Sequence, residues 1–170
     1  SRVLSRKRDC MALTNSQRVG AAAALAAAIA IPAEGLRQYA YYDPPGILTV
    51  CRGHTGSDVV KGRRYTIPEC DKYMDDDMRT KVVAVDRCQP GLPMSVLVAF
   101  SDAAYNIGEK IACDPKRSTA ARYLNARNYR KACFELLKWD KARIAGVLVA
   151  LPGLTKRRII EKDVCLQDVT

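Results

Sequence analysis

Residues Val19–Ala33 read VGAAAALAAAIAIPA, fifteen residues without a charge, nine of them alanine. Such a run commits the chain to helix, because alanine is the strongest helix former and no side chain in it offers the backbone another partner. Two environments then suit it. One is a protein core, with the run as a buried alanine-rich helix. The other is a membrane. The preceding stretch carries Arg2, Arg6, Lys7, Arg8 and Arg18 against Asp9 alone. A positive flank before an apolar run is the pattern of a signal sequence or of an anchor with its N-terminus in the cytoplasm. Fifteen residues span roughly 22 Å of helix against a hydrocarbon core of about 30 Å, and an alanine surface has little affinity for lipid. The run reads as a weak, transient anchor over residues 19–33, which divides the chain into a basic N-terminus with anchor (1–33) and a folded body (34–170).

The body has its own signals. Tyr39–Thr55 is rich in Tyr, Gly, Pro and β-branched residues and reads as turns and short strands. Thr66-Ile67-Pro68-Glu69 fits a capping box, which predicts a helix to about Val85 with Tyr73, Met74, Met78, Val82 and Val83 on its apolar side. Pro90 and Pro93 interrupt the chain. Met94–Ile107 is a strongly apolar helix with Gly108 as its C-terminal cap. Shorter helices are expected near Ser118–Asn125 and Asn128–Trp139. Pro152-Gly153 reads as a break, and Thr155 as the cap of a last helix to about Cys165. A small β-containing lobe followed by a helical lobe makes an α+β protein.

Seven cysteines stand at 10, 51, 70, 88, 113, 133 and 165, with no Cys-x-x-Cys pair. That spacing does not support a zinc knuckle or a dithiol redox motif, and a single His excludes a three-His metal site. The six in the body suit disulfides in an oxidising compartment, where fifteen pairings are open. Cys10 is left over, as a free thiol, a redox handle or part of an upstream extension. With 28 Lys+Arg against 18 Asp+Glu the net charge is +10, which points to an anionic partner such as a cell wall, a lipid surface or nucleic acid. No helix-turn-helix, RNP or zinc pattern supports nucleic acid.

Chemistry concentrates just after the alanine run. Glu34 lies at its end, Asp43 nine residues on in an Asp-Pro turn, and Thr49 six further. Two carboxylates flanking a cleft are what glycosidic cleavage requires. One gives a proton to the leaving oxygen, and the other stays ionised to organise water or stabilise positive charge at the sugar. The spacing Glu-x8-Asp-x5-Thr, with Gly35, Leu36, Arg37, Gly46, Gly53 and His54 at fixed offsets around it, resembles the phage lysozymes of glycoside hydrolase family 24. The likeness continues over most of residues 34–166. Asp77 falls where the family has an Asp facing the signature His, and AFSDAAYNIG (99–108) is similar to the central helix of the second lobe.

The resemblance implies two lobes joined by a long helix. It implies hydrolysis of peptidoglycan at the β-1,4 bond between N-acetylmuramic acid and N-acetylglucosamine, with inversion, by a monomer that needs no cofactor or metal. Carried over by position, Glu34 is the general acid, kept protonated by low-polarity surroundings; Asp43 is the ionised carboxylate; Thr49 holds the attacking water. His54 paired with Asp77 braces the small lobe against the long helix. Family-like placement suggests disulfides Cys51–Cys70, Cys88–Cys113 and Cys133–Cys165. The sequence Thr49-Val50-Cys51-Arg52-Gly53-His54, with the weak apolar helix and the extra cysteines, is similar to the signal-anchor-release endolysins of lambdoid phages. Those are held inactive at the host inner membrane and act in the periplasm on release. By that reading Glu34 is pinned at the membrane face until residues 19–33 fold onto the body. One departure stands out: Ile144–Leu151 (IAGVLVAL) is apolar where the family has a Gly-rich polar loop lining the cleft. Two other functions suit parts of the sequence, a lytic transglycosylase working with a single Glu and a basic membrane-active protein without catalysis.

Overall fold

The alanine run is the first element of the computed structural model, which describes residues 12–170. Helix α1 covers Asn15–Ala33 and starts four residues before the uncharged run. Thr14 caps it: its hydroxyl accepts from the Gln17 N–H, and the Gln17 side chain accepts from the Thr14 N–H, a reciprocal capping box. Ala22, Ala23, Ala26, Ala27 and Ala30 form a buried stripe at helical spacing, packed against α2 and α3. Arg18 donates to the Leu92 carbonyl at 2.6 Å and pairs with Asp86 at 3.4 Å. The run is therefore a core helix in this state, with small side chains that let its neighbours approach closely. Cys10 and the basic residues ahead of it lie outside the described residues.

A three-stranded antiparallel sheet follows, β1 (Arg37–Tyr42), β2 (Leu48–Cys51) and β3 (His54–Thr55), in the order β1-β2-β3. Val50, Cys51, Val59, Tyr65 and Cys70 form its small core. Helix α2 (Ile67–Cys88) leaves this lobe behind the Thr66–Glu69 capping box and enters the helical lobe. It runs a turn beyond the expected end. Its buried side is Cys70, Met74, Met78, Val82 and Val85. Val83 is exposed, one position off the stripe that the 3.6-residue period sets through Met78, Val82 and Val85.

Helix α3 (Met94–Ile107) is buried from Ser95 to Ala104 and is surrounded by α1, α2 and α7. Gly108, at φ +91°, ends it, in a conformation costly for any side chain. Short helices α4 (Lys110–Cys113), α5 (Thr119–Asn125, capped by Ser118) and α6 (Tyr129–Glu135, capped by Asn128) follow, the last continuing as a 3-10 turn to Lys138. The apolar stretch after Trp139 is a hairpin, β4 (Lys141–Ile144) and β5 (Val147–Ala150). Helix α7 spans Pro152–Cys165. Pro152-Gly153 opens this helix rather than breaking the chain, since a first-turn proline lacks only an N–H that would be unpaired there. Thr155 lies inside the helix, where its hydroxyl donates to Asp140 at 2.8 Å, with the Leu151 carbonyl as the alternative acceptor at 3.1 Å. Disulfides join Cys51 to Cys70, Cys88 to Cys113 and Cys133 to Cys165. Cys70 and Cys88 lie in the first and last turns of α2, so that helix is tethered at both ends.

Candidate active site

Glu34 is the residue that ends α1, its N–H returning to the Ala30 carbonyl at 3.0 Å. The docked helix thus delivers it to the junction of the two lobes. There it lines a cleft of about 470 Å³ with Arg52, Gly53, Thr55, Asp77, Thr80, Lys81, Tyr105 and Asn106. Gly53, at φ +93°, turns the chain between β2 and β3 within 3.8 Å of the Tyr105 hydroxyl for any added Cβ. That hydroxyl donates to the Arg52 carbonyl at 2.6 Å, and burial pushes its pKa up.

The Glu34 carboxylate takes a hydrogen bond from Arg157 Nη1 at 2.6 Å. Arg157, from the first turns of α7, is itself fixed by a fork onto the fully buried Asp102 of α3, Nε at 3.0 Å and Nη2 at 2.7 Å. Burial pulls the Arg157 guanidinium down, but its bonds to Asp102 and Glu34 leave it raised. Behind it, Glu161 accepts from Arg158 at 2.7 Å, and Arg158 also donates to Asn106 in the cleft wall at 3.0 Å. Burial, with the hydrogen bond it shares with Asp102, pushes Glu161 well up, and burial pulls Arg158 down. Low-polarity walls were expected at Glu34; a guanidinium lies against it instead. Its second oxygen, Oε2, makes no hydrogen bond among the described residues.

Asp43 and Thr49 meet across one residue. Asp43 Oδ1 accepts from the Ile47 N–H at 2.7 Å, and the Thr49 hydroxyl donates to the Ile47 carbonyl at 3.0 Å. Thr49 is buried and pairs in register with Thr55, which lines the cleft; directly paired residues share a face of the sheet. Asp43 is not part of the cleft wall as it stands. The turn after β1 uses one of its oxygens, as an Asp-Pro turn does.

His54 is locked. Its Nδ1 lies 2.8 Å from Asp77, its Nε2 3.1 Å from Asp58, and its ring stacks on Tyr73 at 3.8 Å. Burial opposes its protonation, yet the hydrogen bonds and charges of Asp77 and Asp58 raise its pKa. Asp77 is pushed up by burial against the pull of His54. With both nitrogens engaged, the ring ties β3 to α2.

Sequence reasoning named Glu34, Asp43, Thr49, His54 and Asp77, of which Glu34 and Asp77 line the cleft; it missed Arg157, Asp102, Tyr105 and Asn106. Asp102 carried a signal: it is the one acid in an otherwise apolar helix, and a buried carboxylate demands a cation. Its partner, fifty-five residues on, carried none.

The phage lysozyme family model matches residues 32–161. A SAR-endolysin of bacteriophage PS119 is 35% identical over 134 residues, covering 78% of this chain and 76% of the relative. An endolysin from Escherichia coli O157:H7 phage FAHEc1 superimposes with a TM-score of 0.71 at 28% identity, covering 85% of this chain and 92% of that one. The muramidase domain of SpmX from Asticaccaulis excentricus does so with a TM-score of 0.73 at 27% identity, covering 86% and 95%. The arrangement of a small sheet and a helical lobe is thus shared with these structures, and the chain belongs to the phage lysozyme family.

Proposed function

We propose that this glycoside hydrolase is a phage endolysin that cuts peptidoglycan between N-acetylmuramic acid and N-acetylglucosamine. The observation that carries the reading is Glu34 at the edge of the interlobe cleft, steered through one oxygen by the buried Arg157–Asp102 fork while the other is left for substrate. Glu34 gives the glycosidic oxygen a proton carried on Oε2, the oxygen that Arg157 leaves free. Asp43 stays ionised beside the sugar, and Thr49 holds the water that adds to the anomeric carbon. For Asp43, substrate must draw the β1–β2 turn toward the cleft.

The same geometry supports release from the inner membrane as the on-switch. Glu34 is continuous with α1, and α1 is long and apolar enough to cross a bilayer by length and composition. While α1 lies in lipid, Glu34 is parted from Arg157, and the cleft lacks its acid. Release lets the alanine stripe pack on α2 and α3 and sets Glu34 in place, so that the enzyme works in the host periplasm. The names of relatives such as the PS119 SAR-endolysin agree with this.

Turbidity loss of outer-membrane-permeabilised Gram-negative cells, with product mass spectrometry, tests the reading. Wild type should lyse cells and release water-added disaccharide ends, and Glu34→Gln should lose at least about 100-fold. Equal lysis by both proteins sinks the assignment. The engagement of Asp43 in its turn favours a second reading, a lytic transglycosylase acting through Glu34 alone, which anhydro-muramyl ends would establish instead.

A further inference from the structure

The β4–β5 hairpin is the largest feature the catalytic reading leaves unused. Its register pairs Lys141 with Ala150, Ala142 with Val149, Arg143 with Leu148 and Ile144 with Val147. Paired residues share a face, and faces alternate along each strand. One face therefore carries Ala142, Ile144, Val147 and Val149, and the other carries Lys141, Arg143, Leu148 and Ala150. Ile144 and Val147 are 51% and 63% exposed. Among the described residues, neither strand packs extensively on any element but the other.

A lone two-stranded ribbon is marginal in water, yet this one is well shaped. Ala145 and Gly146 close it, both at positive φ, and Arg143 donates to the Gly146 carbonyl at 2.7 Å. The ribbon's base joins Leu151, which with Leu25, Pro32, Leu154 and Ile160 lines a mostly apolar groove of about 1100 Å³ between α1 and α7, with Lys156, Arg157 and Glu34 also in the lining. Apolar surface thus continues from the hairpin across the uncharged outer side of α1.

We propose that the apolar face of the β4–β5 hairpin docks the folded enzyme on an anionic phospholipid bilayer, with Lys141 and Arg143 reaching back to the headgroups. An interfacial element needs an apolar side that enters the acyl boundary and a basic side that meets the phosphates, with long cationic side chains that keep their heads in water. The hairpin has both, on a chain of net charge +10. A glycan strand fits poorly. Its hydroxyls and acetamides need hydrogen-bonding partners, and Ala142, Ile144, Val147 and Val149 have no such side chains. This contact is made with α1 folded on the body, so it differs from anchoring by α1, and it requires no turnover.

Vesicle flotation of the full chain tests it, with lysis of permeabilised cells measured in parallel. The protein should float with vesicles of phosphatidylglycerol and phosphatidylethanolamine, less so at about 0.5 M salt, and not with phosphatidylcholine alone. The double variant Ile144→Ser/Val147→Ser should lower partitioning at least about tenfold, and Lys141→Glu/Arg143→Glu should abolish the preference for phosphatidylglycerol. Independently, fluorescence of the Val147→Trp variant should be quenched by brominated acyl chains beyond that of wild type. Flotation that these substitutions leave unchanged overturns the proposal, since α1 would then carry the binding. So does lost lysis with unchanged flotation, which would assign the hairpin to substrate. Absence of the extra quenching overturns it as well.

Discussion

Arg157 joins three carboxylates from three parts of the chain: Glu34 at the end of α1, Asp102 in α3 and Glu161 one turn along α7. It is almost wholly buried, so its charge has to be matched by the groups around it. The position of Glu34 is therefore set by an ion network rather than by the strand that follows it. His54 offers a second test at this scale. Its raised pKa means that protonation stabilises the fold. That contribution is complete below the ordinary value of 6.5 and fades as pH rises through the elevated one. On the acid side it weakens as Asp77, pushed up by burial, takes a proton, and it ends once Asp58, held down against burial by its bonds to His54, is protonated below 3.8. His54→Asn should destabilise by about 1.5–3 kcal/mol at pH 6, with smaller losses at pH 4 and at pH 9. Urea unfolding at the three pH values measures it, and a pH-independent difference would contradict the pairing.

Among the elements, α1 shows what a small-residue interface demands. Ala26 is fully buried against the helical core, so Ala26→Leu has no void to fill and should cost about 1–3 kcal/mol. A fall in the thermal midpoint checks it; an unchanged midpoint would mean that α1 is not docked in solution. The same helix shows how much was legible. Its capping box, Thr14 to Gln17, was present in the letters, but the uncharged run drew the start to Val19. The lobes, the long α2 and the apolar α3 followed from periodicity and caps, which are local. The start of α7 was misplaced because Pro-Gly ordinarily breaks a helix, whereas the turn at Leu151 puts proline where a helix tolerates it. IAGVLVAL was recognised as unusual but not as a ribbon, since eight apolar residues suit a buried strand or a helix equally well. Of the site, the motif pointed to Glu34, which lines the cleft, and the family likeness to the His54–Asp77 pair, whereas Asp43 is held in the β1–β2 turn outside the cleft wall. The Arg157 network stayed hidden because only tertiary packing brings α3, α7 and the end of α1 together.

For the whole molecule, the disulfides divide the sequence into closed rings and open stretches. The rings run from 51 to 70, from 88 to 113 and from 133 to 165. The exposed loop with Lys61 falls inside the first, and the hairpin with Lys141 and Arg143 inside the third. Exposed tips of this kind are where proteases cut first. A cut there opens a ring without parting the chain, so a nicked molecule keeps every segment covalently attached. Tryptic nicks in these two loops should leave one band of full mass on a non-reducing gel and separate fragments only after reduction, whereas a cut at exposed Lys116 or Arg117, between the second and third rings, should part the chain without reduction. In the periplasm proposed above, where proteases are met, the enzyme would then survive wounds in these loops as a single piece.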